Sequence, residues 1–194
     1  MEDLENERFI GPAQAGRWCD FVCMHGYPAC ADWSTGPTDS QLVPFLAEIT
    51  SWLALDTPVL FAEFGQSTVA VGKTPTTFQV GEDEAATYTG ATLDALRECG
   101  SIGALLWCFA DYAEELYGTP PLDLAVHERT FGLWRADETP KPAVAEIAQR
   151  RAQRREPPTG MRPWLDISVD EFTSNRRRHL TRLYGRYQSS AGTQ

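Results

Sequence analysis

Three short apolar runs, each ended by a polar or aromatic residue and a turn signal, set the rhythm of the chain. They are Asp20–His25, Val59–Phe64 and Gly103–Phe109. Short continuous apolar runs bounded by Gly and Pro read as strands of a parallel sheet. Between the first two, Leu42, Phe45, Leu46, Ile49 and Leu53 recur at helical spacing within Ser40–Leu55, with Thr38 or Asp39 as N-cap. Between the second and third, Glu82–Cys99 is acidic in its first turn and has Gly100 just beyond its end, both helix signals. A short helix is expected in Pro12–Trp18, and a Pro-rich loop over Asp111–Arg135. Pro140–Arg155 reads as a further helix with Pro142 in its first turn. Strand and helix alternate, which predicts right-handed βαβ units and a parallel sheet covered by helices.

The Pro157-Pro158-Thr159-Gly160 break separates a body, residues 1–155, from a C-terminal extension, residues 156–194. The extension carries one amphipathic pattern over Val169–Tyr187, through Leu180, Leu183, Tyr184 and Tyr187. It is expected to pack on the body or to be partly disordered. Charge divides close by. Residues 150–194 hold ten arginines against four acids, a balance of +6, while the whole chain stands at −10 and the remainder at −16. Arg176-Arg177-Arg178 lacks interleaved aromatics, and the acidic body would repel phosphate, so no nucleic-acid partner is expected. Docking of the basic segment on its own acidic body accounts for the asymmetry.

The chain has 194 residues, 42% hydrophobic and 23% charged, as globular proteins do. No apolar stretch approaches the ~20 residues of a membrane span. The acidic start, Met1 to Glu5, lacks the features of a signal peptide, which predicts a cytoplasmic chain. Five cysteines form an odd set without C-x-x-C spacing and are expected to be reduced. Cys19, Cys23, His25 and Cys30 fit no common zinc spacing, so neither metal nor cofactor is expected.

Side chains alternate along a strand, which groups Val59, Phe61 and Glu63 on one face and Leu60 and Ala62 on the other. Leu105, Trp107 and Phe109 fall together, as do His25 and Tyr27 at the exit of the first strand. A lone buried Glu is costly without partners or a task, so Glu63 demands an explanation. Each run delivers a polar or aromatic side chain to its carboxyl end, the edge where parallel α/β proteins bind ligands.

These residues resemble those of glycoside hydrolases of clan A, of the cellulase and mannanase family 5 type, whose fold is a (β/α)8 barrel. In that family strand six ends in His-x-Tyr, matched by His25-Gly26-Tyr27. Strand seven ends in Pro-Val-Leu-x-x-Glu-Phe-Gly, matched by Pro58 to Gly65. Strand eight ends in a tryptophan, matched within Gly103 to Tyr112 by Trp107. The stretch before helix eight is matched by Phe131 to Asp137 with Lys141-Pro142. The resemblance covers about residues 18 to 148.

The resemblance implies a retaining β-glycosidase acting on an oligo- or polysaccharide. Glu63 would be the nucleophile, Tyr27 its hydrogen-bond donor, and His25 a ligand of a sugar hydroxyl or of the acid/base residue. Trp107 would floor the sugar site, and Trp33 and Tyr112 would extend it. The Asp111–Arg135 loop, with His127 and Glu128, would wall one end. Structural roles stay open beside these: Glu63 in an ion pair, His25 as a core histidine, Trp107 as barrel filling.

The family's acid/base glutamate, in an Asn-Glu pair ending strand four, has no counterpart here, and nothing selects Glu114 or Glu115 in its place. A complete barrel takes ~250 residues. The expected fold is therefore a partial TIM barrel, the last three βα units, with a C-terminal helical extension. The chain alone is expected to be inactive. The alternative is a non-catalytic remnant or a split-protein module that associates with a second chain completing the barrel. No G-x-S-x-G elbow supports a serine hydrolase. The sugar and linkage are not specified.

Overall fold

The apolar runs become strands and the periodic segments become helices in the order α1 (Glu2–Glu5), α2 (Pro12–Gly16), β1 (Val22–His25), α3 (Leu42–Leu53), β2 (Val59–Phe64), β3 (Ser67–Thr68), β4 (Gln79–Val80), α4 (Glu82–Glu98), β5 (Gly103–Leu106), α5 (Ala143–Arg150), α6 (Val169–Ser174) and α7 (Arg176–Ala191). The computed structural model describes every residue except Phe9, 70–72, Thr77, Thr159 and 192–194. Thr159 of the Pro157–Gly160 break, and the last three residues of the extension, therefore lie outside the described residues.

The principal sheet has the order β1-β2-β5, and both pairings are parallel. This is the partial TIM barrel expected from the sequence: consecutive parallel strands joined by helices α3 and α4. One face is covered. Val22, Met24, Val59, Phe61 and Phe64 meet Phe45, Leu46, Ile49 and Leu53 of α3 and Tyr88 and Leu96 of α4, all buried. Burying each large apolar side chain there contributes roughly 1.5–3 kcal/mol. The other face is open: Phe21, Leu105, Trp107 and Phe109 are all exposed.

Several boundaries shift for local reasons. Helix α3 starts at Leu42, and Gln41 makes no side-chain cap bond. Asp39 instead accepts from the Thr35 and Gln41 amides and from the buried Tyr184 hydroxyl, at 2.9, 3.2 and 2.6 Å. It braces the turn into α3 rather than capping the helix. The third strand ends at Leu106, although the Trp107 amide still bonds to the Phe64 carbonyl at 2.8 Å. The last body helix stops at Arg150, short of Arg155. The amphipathic run of the extension breaks at Asn175, whose φ of −157° and ψ of 75° are not helical. A small second sheet pairs β3 with β4 in parallel, and alternation gives no warning of it because each strand is only two residues long.

Trp164, Phe172, Leu180, Leu183 and Tyr184 of the extension are buried in the same core as α3. Phe45 sits among Trp164, Tyr184 and Tyr187 at ring separations of 5.3, 5.0 and 5.4 Å. Arg162 pairs with Asp56 at 2.8 Å and Arg177 with Asp32 at 2.6 Å, so arginines of the extension meet acids of the body. A cavity of about 440 Å³ lies along this seam, bordered by Glu48, Cys99, Arg162 and Trp164.

Candidate active site

Strand register decides where Glu63 points. Between Met24 and His25 strand β1 advances one residue while β2 advances two, from Phe61 to Glu63. On the other side β5 advances two residues, Ala104 to Leu106, while β2 advances three, Phe61 to Phe64. Both neighbours therefore find one extra residue in β2 just after Phe61, a β-bulge. The bulge corrects the strict alternation expected from sequence. Phe64, not Glu63, follows Phe61 onto the helix-covered face, with their rings 6.2 Å apart and Tyr88 of α4 at 6.4 Å. Glu63 emerges instead beside its register partner His25.

Tyr27 lies just beyond β1, and its hydroxyl donates to Glu63 Oε1 at 2.6 Å. His25 Nδ1 lies 3.6 Å from Glu63 Oε2. The Tyr27 ring packs edge-on against Phe131 at 5.6 Å. Burial, and then the bond to Glu63 and the charges of Glu63 and Glu128, push the Tyr27 phenol far above its ordinary value. It stays protonated and acts as a fixed donor.

The carboxyl end of β5 closes the other side. Gly65 permits a close approach there, since a Cβ at this position would lie 2.1 Å from the Trp107 carbonyl oxygen. Trp107, Glu63 and Tyr27 consequently line one cavity of about 170 Å³, completed by Phe78, His127, Glu128 and Phe131 among others. Its walls combine an aromatic lining with carboxylates and a phenol, the mixture that suits a hydroxylated ring with an apolar face.

A buried clamp holds the loops on which this cavity depends. Lys141, only 4% exposed, donates to Asp111 Oδ1 at 2.7 Å, Thr68 Oγ1 at 2.9 Å and the Thr130 carbonyl at 3.0 Å. Asp111 also accepts from the Gly132 amide at 2.8 Å, where a side chain on Gly132 would strike the Asp111 backbone at 2.0 Å. Burial raises the Asp111 carboxyl and lowers the Lys141 amine, each opposed by the other's charge. The pair ties the loop after β2 to the long loop after β5.

The sequence-derived candidates separate into two groups. Glu63, Tyr27, His25 and Trp107 come together at the carboxyl edge of the sheet, with His25 at the rim rather than in the cavity wall. Trp33 goes elsewhere. Its indole donates to Glu5 Oε1 at 2.8 Å, and its ring packs edge-on against Tyr184 at 5.2 Å, so it lies half-buried against the core beneath α7. Tyr112 does not line the cavity; its amide bonds the Arg129 carbonyl at 3.1 Å within the long loop. Glu114 and Glu115 sit on an exposed single turn, Glu114–Leu116. His127 and Glu128 do wall the cavity. Phe78 and Gln66 were not anticipated: Phe78 stands in a non-periodic segment, and the only signal for Gln66 is its place directly after Glu63-Phe64-Gly65.

Neither a protein-family model nor a curated protein matches the chain. Solved structures do. A family 5, subfamily 18 glycoside hydrolase from Streptomyces cattleya, solved with GlcNAc, superposes with a TM-score of 0.66 over 93% of this chain and 44% of that one, at 23% identity. A β-glucuronidase from Bifidobacterium dentium, complexed with coumarin-3-O-glucuronide, gives 0.53 over 71% of this chain and 21% of its own, at 26% identity. An exo-β-1,4-mannosidase from an Opitutaceae bacterium gives 0.52 over 68% and 22%, at 28% identity. The chain spans less than half the length of each of these structures. The fold is that of part of a clan A glycoside hydrolase barrel, and these structural neighbours are glycoside hydrolases.

Proposed function

We propose that this chain carries the nucleophile half of a retaining β-glycosidase site. The observation that carries the reading is Glu63, turned by the bulge beside His25 and bonded at 2.6 Å by the Tyr27 hydroxyl in an aromatic-walled cavity. In a retaining reaction one Glu63 oxygen attacks the anomeric carbon, the bond from that carbon to the leaving oxygen breaks, and a glycosyl ester forms. A second carboxyl group, about 5–5.5 Å from the first, protonates the leaving oxygen and later activates water. Tyr27 fixes the orientation of Glu63 and stabilises its charge. His25 bonds a sugar hydroxyl or the second carboxyl group, and Trp107 stacks on the apolar face of the sugar ring.

The acid/base carboxyl belongs to a part of the barrel outside these residues, so the chain alone hydrolyses glycosides with poor leaving groups slowly or not at all. A β-mannoside is the favoured substrate, because a Streptomyces cattleya variant at 25% identity was solved with Manβ1-4GlcNAc. The open sheet face bearing Phe21, Leu105 and Phe109 favours a second reading, a non-catalytic module that associates with a partner chain.

A 2-deoxy-2-fluoro-β-mannosyl fluoride separates the two. Fluoride departs with the bonding electron pair and needs no proton, so a half-site with a competent nucleophile still reacts. Mass spectrometry is expected to find a fluoromannosyl ester on Glu63 and none in Glu63→Gln. An unmodified chain, or an adduct on another residue, would overturn the glycosidase reading in favour of the module.

A further inference from the structure

The cavity holds a second carboxylate, Glu128, that the reaction just described does not use. It sits on the five-residue 3-10 helix Val126–Thr130, which is anchored to β3, β4 and Lys141. Ser67 Oγ donates to the His127 carbonyl at 2.5 Å, and Thr130 Oγ1 donates to the Thr68 carbonyl at 2.6 Å. Gln79 Nε2 reaches Thr130 Oγ1 at 3.0 Å, and Lys141 holds the Thr130 carbonyl. His127 Nε2 lies 3.4 Å from Glu128 Oε1, and its ring packs on Phe78 at 4.9 Å.

A loop carboxylate free to move would turn to bulk water, away from a like charge. Here those bonds hold the backbone that carries Glu128, and His127 lies against its carboxylate, which keeps it in the wall of a cavity shared with Glu63. Among the described residues, no Lys or Arg lines that cavity. Two carboxylates and the His127 imidazole line it, with the His25 imidazole at the rim beside Glu63. Such a wall accepts hydrogen bonds from ring hydroxyls and repels a negatively charged ligand, so it selects by exclusion as well as by contact. The fold does not make this choice, since a structural neighbour from Bifidobacterium dentium was solved with a glucuronide.

We infer that Glu128, oriented by His127, is a substrate-binding residue that reads the hydroxyls of an uncharged sugar and shuts out a uronic acid. The inference rests on the glycosidase reading. It is tested on the full chain by saturation-transfer NMR titration with methyl β-mannoside and methyl β-glucoside, each against its uronic acid counterpart. At least one neutral sugar is expected to bind about tenfold or more tighter than its acid, a difference worth ~1.4 kcal/mol. In Glu128→Gln, and in Glu128→Ala as a check on the side chain left behind, that ratio is expected to fall to roughly threefold or less. Equal binding of sugar and acid by the wild-type chain, or an unchanged ratio in both variants, would overturn the role of Glu128. Binding of none of the four overturns it too, and the fluoride label on Glu63 then shows whether the glycosidase reading falls with it.

Discussion

Glu63 and Tyr27 are joined by a 2.6 Å bond between groups far apart in sequence, and removing one partner isolates the contribution of the other. Hydrogen bonds to charged groups are worth about 1.5–3 kcal/mol, or roughly 10–100-fold in rate. Tyr27→Phe is expected to slow fluoride labelling of Glu63 by that factor while leaving the far-ultraviolet circular dichroism unchanged; an unaltered labelling rate would remove Tyr27 from the site. Thiols give a second residue-level test. Burial pushes Cys99 up to about 12, and Cys108 is raised for the same reason, whereas Cys19 and Cys23 are exposed. At neutral pH a disulfide reagent is expected to modify Cys19 and Cys23 first and Cys99 last, as read by peptide mapping. The positions of Glu63, Tyr27, His25 and Trp107 at the sheet edge were legible because each lies within two residues of the end of an apolar run. The packing of Trp33 against the core was not legible. An indole after a strand looks the same in sequence whether it faces a cleft or, as here, meets Tyr184 and gives its N–H to Glu5.

Among the elements, β2 and β5 define the site through one irregularity and one close approach. The bulge after Phe61 was invisible to alternation because Leu60, Phe61, Ala62 and Phe64 are all apolar, and nothing in such a run marks where an extra residue is inserted. The β3–β4 pair escaped for a related reason, being too short for a period to register. Gly65, by contrast, is readable as a strand stop, and the structure adds why it carries no side chain. Gly65→Ala would press a methyl group against the Trp107 carbonyl. Overpacking of this kind costs about 1–3 kcal/mol, so the melting temperature is expected to fall by roughly 2–10 °C. An unchanged melting temperature would show that the two strand ends are not in contact. Helix α4 was placed almost to the residue, since three acids in its first turn and Gly100 beyond its end bracket it.

Across the whole molecule, the parallel βαβ order was legible from the succession of strand and helix signals, and docking of the extension from its basic charge and its Leu180, Leu183, Tyr184 and Tyr187 pattern; the body residues it meets were not, because those contacts are distant in sequence. Glu48 lies on that seam. Burial raises its carboxyl, and bonds from Trp164 and Tyr187 together with the charge of Arg162 offset this only in part. The folded chain therefore holds that proton more tightly than the unfolded chain. The stability this contributes is full below the unfolded value of about 4.3 and is lost as pH rises through the folded value. At neutral pH the buried charge is a cost. Glu48→Gln is expected to raise the melting temperature at pH 7 by about 2–4 °C, the effect of ~1 kcal/mol in a domain of this size, and to lose that advantage near pH 4. A gain of equal size at both pH values would show that ionisation of Glu48 is not the cause.

The bare side of the three-stranded sheet also governs how the chain behaves in a test tube. Leu105, at 55% exposure, and Phe109, at 73%, present oily surface beside the edge strands β1 and β5. Surfaces of that kind capture amphiphilic dyes and one another. A natively folded sample is expected to brighten anilinonaphthalene sulfonate without any denaturant, and its light scattering to climb with concentration. Replacing Leu105 and Phe109 with serine should abolish both signals while the cooperative melt persists.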